Sequence, residues 1–96
     1  MIELPQEPIA AFCRTHHIAS LSVFGSALTQ DFGPDSDVDF LVEFEPGHVP
    51  GLIRLAGMER ELSELIGRKA DLRTAGDLSR YFRDDVMAAA VEQYAR

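Results

Sequence analysis

Few features of this sequence suit secretion or membrane insertion. It has a single cysteine, Cys13, which cannot form an internal disulfide. Its first residues carry neither the basic region nor the apolar region of a secretory signal. No stretch reaches the roughly 18 consecutive apolar residues expected of a membrane span. We therefore expect a cytoplasmic protein that does not enter a membrane.

Positive charge is also scarce, and it is unevenly placed. The formal net charge is -7, and no Lys or Arg occurs between Arg14 and Arg54. The same interval contains six acidic residues: Asp31, Asp35, Asp37, Asp39, Glu43 and Glu45. Proteins that bind nucleic acid directly gain affinity from clustered basic residues, so this class is disfavoured. An acidic block suits a cation.

The 96 residues predict one domain, residues 1–96, with enough apolar material for a single core. In the first half, two prolines and an apolar stripe predict a helix from about Pro5 to about His16. Residues 18–24 and 38–44 are predicted strands, the second with alternating apolar and acidic positions. Ser26 is the predicted N-cap of a helical turn that runs through about Gln30 or Asp31, and residues 33–36 are a predicted turn.

The second half has the pattern of a long amphipathic helix, a short strand and another helix. Apolar residues recur at helical spacing in the first of these: Leu52, Leu55, Met58, Leu62 and Leu65. Gly67 is placed to end that helix, and Lys69 to Thr74 is a predicted strand that carries Asp71. Leu78 to about Tyr94 is predicted as a helix. The fold class is therefore α/β (α+β), with a small mixed sheet of about three or more strands packed with helices.

Asp37 and Asp39 form the first chemical feature. They are two residues apart at the start of a strand, so both carboxylates project from one face within reach of one ion. Mg²⁺ takes oxygen ligands and is commonly held by one or two carboxylates together with substrate phosphates. The pair is thus a candidate metal site, although a solvated turn with two acids has the same spacing.

Gly25 and Ser26 suit a phosphate group beside that site. Gly25 allows close approach to the backbone, and the unpaired N–H groups of a helical turn opened by Ser26 favour an anion. A plain strand exit has the same residues. If the third strand lies next to the second, Asp71 adds a carboxylate that ligates metal or accepts a proton from an attacking hydroxyl; otherwise it is a surface acid.

The segment from Phe24 to Ser26, followed by residues 33–42 with Ser36-Asp37-Val38-Asp39, resembles the GS…SDxD signature of the DNA-polymerase-β-like nucleotidyltransferase superfamily. The resemblance extends to its minimal nucleotidyltransferase branch, antitoxins that act beside HEPN-domain toxins. Four further segments carry it: Gly51-Leu52-Ile53-Arg54, Glu61-Leu62, residues 67–72 and Tyr81-Phe82-Arg83-Asp84. The similarity covers nearly the whole chain and implies a nucleotidyltransferase fold.

The resemblance also implies roles for individual residues. Gly25, Ser26 and Ser36 would bind the nucleotide, and three carboxylates would be catalytic and hold Mg²⁺: Asp37, Asp39 and Asp71. The implied reaction transfers a nucleoside monophosphate, with ATP as the expected donor, to a protein hydroxyl on a HEPN-domain toxin. The expected partners are therefore a toxin and a nucleoside triphosphate.

The chain departs from the family pattern directly after the Gly-Ser pair. Family members commonly carry Arg there, whereas this chain has Ala27, Leu28, Thr29 and Gln30. An arginine at that point can neutralise a triphosphate. Two alternatives therefore stay open: an antitoxin that neutralises its partner by binding alone, and, ranked lower, a transferase that modifies a small molecule such as an antibiotic.

Overall fold

The computed structural model describes residues 4–29, 32–33 and 35–96, and for Ser26 it describes the backbone only. Three helices are present in this part of the chain: α1 (Gln6–Thr15), α2 (Leu52–Ile66) and α3 (Arg83–Ala89). The four strands are β1 (Ile18–Phe24), β2 (Val38–Phe44), β3 (Ala70–Arg73) and β4 (Val91–Ala95). Short 3₁₀ turns cover Gly25–Leu28 and Ala75–Asp77.

The strands form one mixed sheet with the order β3-β2-β1-β4. β1 runs antiparallel to both β2 and β4, whereas β3 is parallel to β2. The α/β class and the mixed sheet are therefore confirmed, and the bounds predicted for the first two strands agree with β1 and β2. The first helix, predicted to end at about His16, ends at Thr15.

Alternation along β2 decides which face of the sheet is covered. Val38, Phe40 and Val42 are buried, while the residues between them face the other way. On the buried side, α1 contributes Ile9, Phe12 and Cys13, and α2 contributes Met58 and Leu62. One face of the sheet therefore carries the core, and the acidic positions of β2 lie on the opposite face.

Two side chains of α2 fix β3 beside β2. The backbone N–H of Ala70 donates to Ser63 Oγ at 2.8 Å, and that of Leu72 donates to Glu59 Oε2 at 2.7 Å. These bonds satisfy donors on the outer edge of β3, where no further strand pairs with it among the described residues. On the side of β3 that faces β2, pairing begins at the first residue of β2, because the Val38 N–H donates to the Lys69 carbonyl at 2.9 Å.

The long helix ends as predicted, at Gly67, which has a left-handed φ of 76° and whose N–H donates to Ser63 O at 2.9 Å. Its apolar stripe is only partly core. Met58 and Leu62 are buried, but Leu52 at the first turn is 85% exposed. Leu52, the first member of the predicted apolar stripe, therefore lies outside the core.

The predicted helix from Leu78 to about Tyr94 is also wrong. Helix α3 covers only Arg83–Ala89, and Val91–Ala95 form strand β4. Without β4, β1 would be an unpaired edge strand of the sheet, and pairing with that edge overrides a weak helical periodicity. Phe82, assigned to the helical stripe, is 64% exposed. Within the described ranges, no helix is long and apolar enough to cross a membrane.

Candidate active site

Asp39 and Asp71 lie directly opposite each other on neighbouring strands. In the parallel β2–β3 register, Asp39 pairs with Asp71, and adjacent strands are about 4.8 Å apart. The condition set at the sequence level, that the third strand lie next to the second, is therefore met. Asp37 comes just before β2 and is more exposed, with 48% of its side chain accessible against 19% for Asp71.

Gly25 is packed against the Asp39 carboxylate. Phe24, the last residue of β1, pairs with Asp39, and Gly25 follows with a φ of 75°. A Cβ placed on Gly25 would lie 2.6 Å from Asp39 Oδ2, a distance that real Cβ atoms do not show. The expectation that Gly25 permits close approach to the backbone is confirmed, and the group that approaches it is this carboxylate.

The turn after β1 differs from the prediction. It is a 3₁₀ turn of four residues that begins at Gly25, so Ser26 is its second residue and the prediction of Ser26 as N-cap is wrong. So short a turn sums few peptide dipoles and therefore attracts an anion less than a helix does. The Ser26 side chain, Gln30 and Asp31 lie outside the described part of the chain.

A tight turn leads into Asp37. The Ser36 N–H donates to Gly33 O at 3.1 Å, and the Gly33 N–H donates to Ser36 Oγ at 3.0 Å. The predicted turn at residues 33–36 is thus confirmed at both ends, although Pro34 lies outside the described residues. Ser36 holds this turn closed, and its contact with a nucleotide stays a prediction.

Arg68 fastens the same turn to the end of α2. Its Nη1 donates to Gly33 O at 3.2 Å and to Ser36 O at 3.5 Å, and its guanidinium lies 4.5 Å from the centre of the Phe32 ring. Such a planar cation on an aromatic face stabilises the segment that precedes Asp37. Sequence reasoning missed this role, because nothing in the spacing relates Arg68 to residues 32–36.

Lys69, the sole lysine of the sequence, supplies positive charge to the acidic edge. Its Nζ lies 3.8 Å from Asp37 Oδ2 and 4.0 Å from Asp71 Oδ1. Arg73, on the same strand as Asp71, also acts electrostatically on Asp39. The stretch from Thr15 to Ile53 has no base of its own, and β3 brings these two cations to it. A distant segment of the chain thus adds positive charge to the acidic block seen in the sequence.

The electrostatics of the site favour binding of a further cation. Burial raises the pKa of Asp39, the charges of Asp71 and Asp37 raise it further, and Arg73 lowers it in part. Three carboxylates of the kind that Mg²⁺ prefers thus lie along one edge of the sheet. In the described ranges, however, no three His, Cys, Asp or Glu side chains are grouped closely enough to hold an ion. The metal ligands stay a prediction.

Comparison with known proteins identifies relatives of this chain. The family model of the nucleotidyltransferase domain matches residues 7–92. A protein of Methanocaldococcus jannaschii, provisionally named protein adenylyltransferase MJ0435, is 31% identical over 77 residues, which are 80% of this chain and 81% of that protein.

Solved structures share the fold. One, provisionally described as a minimal nucleotidyltransferase, has a TM-score of 0.72 and 30% identity, and the match covers 90% of this chain and 86% of that one. Another is a toxin–antitoxin crystal structure with AMP-PNP, with a TM-score of 0.77 and 17% identity over 97% of this chain and 75% of that one. At such low identity the second likeness concerns the fold alone.

Proposed function

The chain belongs to the nucleotidyltransferase-domain family, and we propose that it is a cytoplasmic antitoxin that transfers AMP from ATP to a hydroxyl of a HEPN-domain toxin. The observation that carries the proposal is the Asp39–Asp71 pair, set side by side on β2 and β3 with Gly25 against Asp39. Two carboxylates on adjacent strands, one of them against the backbone of a turn that follows β1, suit phosphoryl transfer.

The proposed reaction is an in-line displacement. The acceptor hydroxyl oxygen bonds to the α-phosphorus of ATP, the bond from that phosphorus to the bridging oxygen breaks, and pyrophosphate leaves. Asp71 accepts the hydroxyl proton, because it lies beside Asp39 on the adjacent strand. Asp37, Asp39 and Asp71 would hold a Mg²⁺ ion, which would supply positive charge to the phosphate oxygens.

The finer parts of the proposal have separate support. The M. jannaschii relative is named a protein adenylyltransferase, which supports AMP as the transferred group and a protein as its acceptor. The toxin–antitoxin structure with AMP-PNP supports a nucleoside triphosphate as ligand and a toxin as partner. Lys69 and Arg73 offer the positive charge that the missing arginine after Ser26 would otherwise supply.

Transfer of label from ATP tests the proposal. The protein is incubated with ATP labelled on the α-phosphate, Mg²⁺ and the toxin encoded by the neighbouring reading frame. We expect label on the toxin with the wild type and with Glu64→Ala, an exposed control on α2, and none with Asp39→Ala. Absence of label with the wild type, under conditions where a related enzyme works, would contradict the proposal.

The second candidate is an antitoxin that acts by binding alone. Ala27 and Leu28 favour it, since they follow Ser26 where the family pattern described above commonly has arginine. Cell survival separates the two. If chemistry is needed, Asp39→Ala abolishes protection from the toxin. If binding suffices, that variant protects as well as the wild type does.

A further inference from the structure

The face of the sheet opposite the core carries a groove of about 650 Å³. Ser22 of β1 and Leu41 of β2 form its floor, and Val49 and Met87 are apolar side chains of its lining. Ligand sites typically have volumes of about 300–1,000 Å³, so the groove is large enough to hold several side chains. Neither the turn at Gly25 nor the three carboxylates lie in its lining.

The groove begins next to the acidic site. Leu41 lies two residues after Asp39 on the same face of β2, and two residues of strand span about 7 Å. Gly25 lies at the other end, after Phe24, which pairs with Asp39. The Asp39 carboxylate is therefore situated between the Gly25 turn on one side and the groove on the other.

The charge of the groove argues against a polyphosphate. Its charged side chains are Glu43 and Glu92, and none of the described residues that line it is Lys or Arg. Glu43 pairs with Ser20 and Glu92 with Ser22, on opposite sides of β1. β2 and β4 are two interstrand spacings apart, about 10 Å, and Ser20 and Ser22 are two residues apart, about 7 Å, so the two glutamate positions are roughly 12 Å apart. Carboxylates at that separation suit two cationic side chains better than one metal ion.

We propose that this groove binds the acceptor as a polypeptide segment in which a hydroxyl residue is flanked by basic and apolar side chains. The inference rests on the proposed function. In phosphoryl transfer the nucleophile and the leaving group lie roughly in line on opposite sides of phosphorus. With the triphosphate at Gly25, a hydroxyl from the groove reaches Asp39 from the opposite side. Glu43 and Glu92 then select the segment by charge.

Binding of two probes to the ¹⁵N-labelled protein, followed by NMR, locates the ligands. The first probe is a synthetic peptide with one tyrosine between leucines and arginines, and the second is ATP with Mg²⁺. The peptide is expected to shift the amides of Leu41, Glu43 and Glu92, and ATP those of Gly25 and Asp39. The proposal would be overturned if the peptide shifted only amide signals on other surfaces. It would also be overturned if ATP shifted the amide signals of the residues that line the groove, because the groove would then be a nucleoside pocket.

Charge reversal tests selection. The double variant Glu43→Arg with Glu92→Arg is expected to bind the arginine peptide at least about tenfold more weakly and to gain affinity for a matched peptide with glutamates. Glu64→Arg, on the far helix α2, is the matched control and leaves both affinities unchanged. The double variant Glu43→Gln with Glu92→Gln is a smaller change, which controls for misfolding of the charge-reversed protein. It is also expected to bind the arginine peptide more weakly than the wild type does. Equal affinities of all variants for the two peptides would refute the proposal that the groove binds the acceptor segment.

The outcomes separate this inference from the proposed function. If the peptide binds in the groove and the wild type transfers no label to the toxin, the transferase proposal fails and the groove stands. If the wild type labels the toxin and charge reversal leaves the KM for the toxin unchanged, the proposal of an acceptor groove is wrong and the transferase proposal is retained. The inference predicts a raised KM for the toxin and an unchanged KM for ATP.

Discussion

The backbone of Gly25 lies so close to Asp39 that a single methyl group on the glycine would meet the carboxylate Oδ2 at 2.6 Å. The first turn after β1 and the partly buried Asp39 of β2 therefore cannot move independently. A substitution at Gly25 affects the position of Asp39 as well as the backbone of the turn.

We expect Gly25→Ala to destabilise the protein by about 2–3 kcal/mol, from the positive φ and from displacement of Asp39. Gly47→Ala is the matched control, since Gly47 has a φ of 81° with nothing within 4 Å of its Cβ position. It is expected to cost about 1 kcal/mol. Urea unfolding measures both. Titration with Mn²⁺ should show weaker binding in Gly25→Ala only, and equal affinity in the two variants would contradict the coupling to Asp39.

The raised pKa of Asp39 predicts how stability depends on pH. The folded protein holds this proton more tightly than the unfolded chain does. The resulting stabilisation is complete below the ordinary pKa of 3.8 and is lost as pH rises through the raised folded value. Asp39→Asn should therefore be more stable than the wild type near neutral pH, and its advantage should shrink as pH falls.

Unfolding followed by circular dichroism between about pH 4 and 8 tests this sign. Glu64→Gln, at an exposed position on α2, serves as the control and should follow the wild type throughout. A constant difference between Asp39→Asn and the wild type across this range would show that Asp39 keeps an ordinary pKa. Added Mg²⁺ should stabilise the wild type more than Asp39→Asn.

Lys69 is expected to compete with a divalent cation and to assist a nucleotide. Lys69→Met should change the free energy of unfolding by less than about 1 kcal/mol, since the pair is exposed. Without nucleotide, Mn²⁺ should bind more tightly, because a positive charge near Asp37 and Asp71 is gone. ATP should bind roughly tenfold more weakly. Calorimetric titration measures both, and Lys69→Arg should restore ATP affinity.

Arg68→Met should loosen the turn before Asp37. Loss of its contacts with Phe32 and with the Gly33 and Ser36 carbonyls is expected to cost about 1–2 kcal/mol of stability. Mn²⁺ affinity should fall although Arg68 contacts none of the three carboxylates by hydrogen bond or ion pair. Arg60→Met, an exposed change on α2, is the control, and equal Mn²⁺ affinity in both variants would show that the turn does not position Asp37.

Local patterns in the sequence were sufficient for the parts of the fold that depend on neighbours along the chain. The alternation from Val38 to Phe44 predicts both the strand and its buried face, and Gly67 predicts the end of α2. The acids Asp37 and Asp39 were found for the same reason. The pairing of Asp71 with Asp39 required a sheet order that spacing alone does not provide.

Contacts between distant parts of the chain account for what the sequence did not predict. Strand β4 forms because β1 has an edge to pair with, and that pairing overrides the helical spacing of residues 78–94. The roles of Arg68 and Lys69 depend on β3 lying beside β2, so their distance from the acidic segment in the sequence concealed them. The position of Glu43 and Glu92 on opposite sides of β1 depends on the sheet order in the same way.

The order of the strands in the sheet also has a consequence for biosynthesis. The acidic edge is built from β2 and β3, so it can form before residues 91–95 have left the ribosome. Until then, β1 has an open edge, because its second neighbour is β4. Such an edge pairs readily with other chains. A nascent chain stalled at this stage would carry the formed acidic edge together with an aggregation-prone strand. Prompt completion of β4 therefore favours a soluble product.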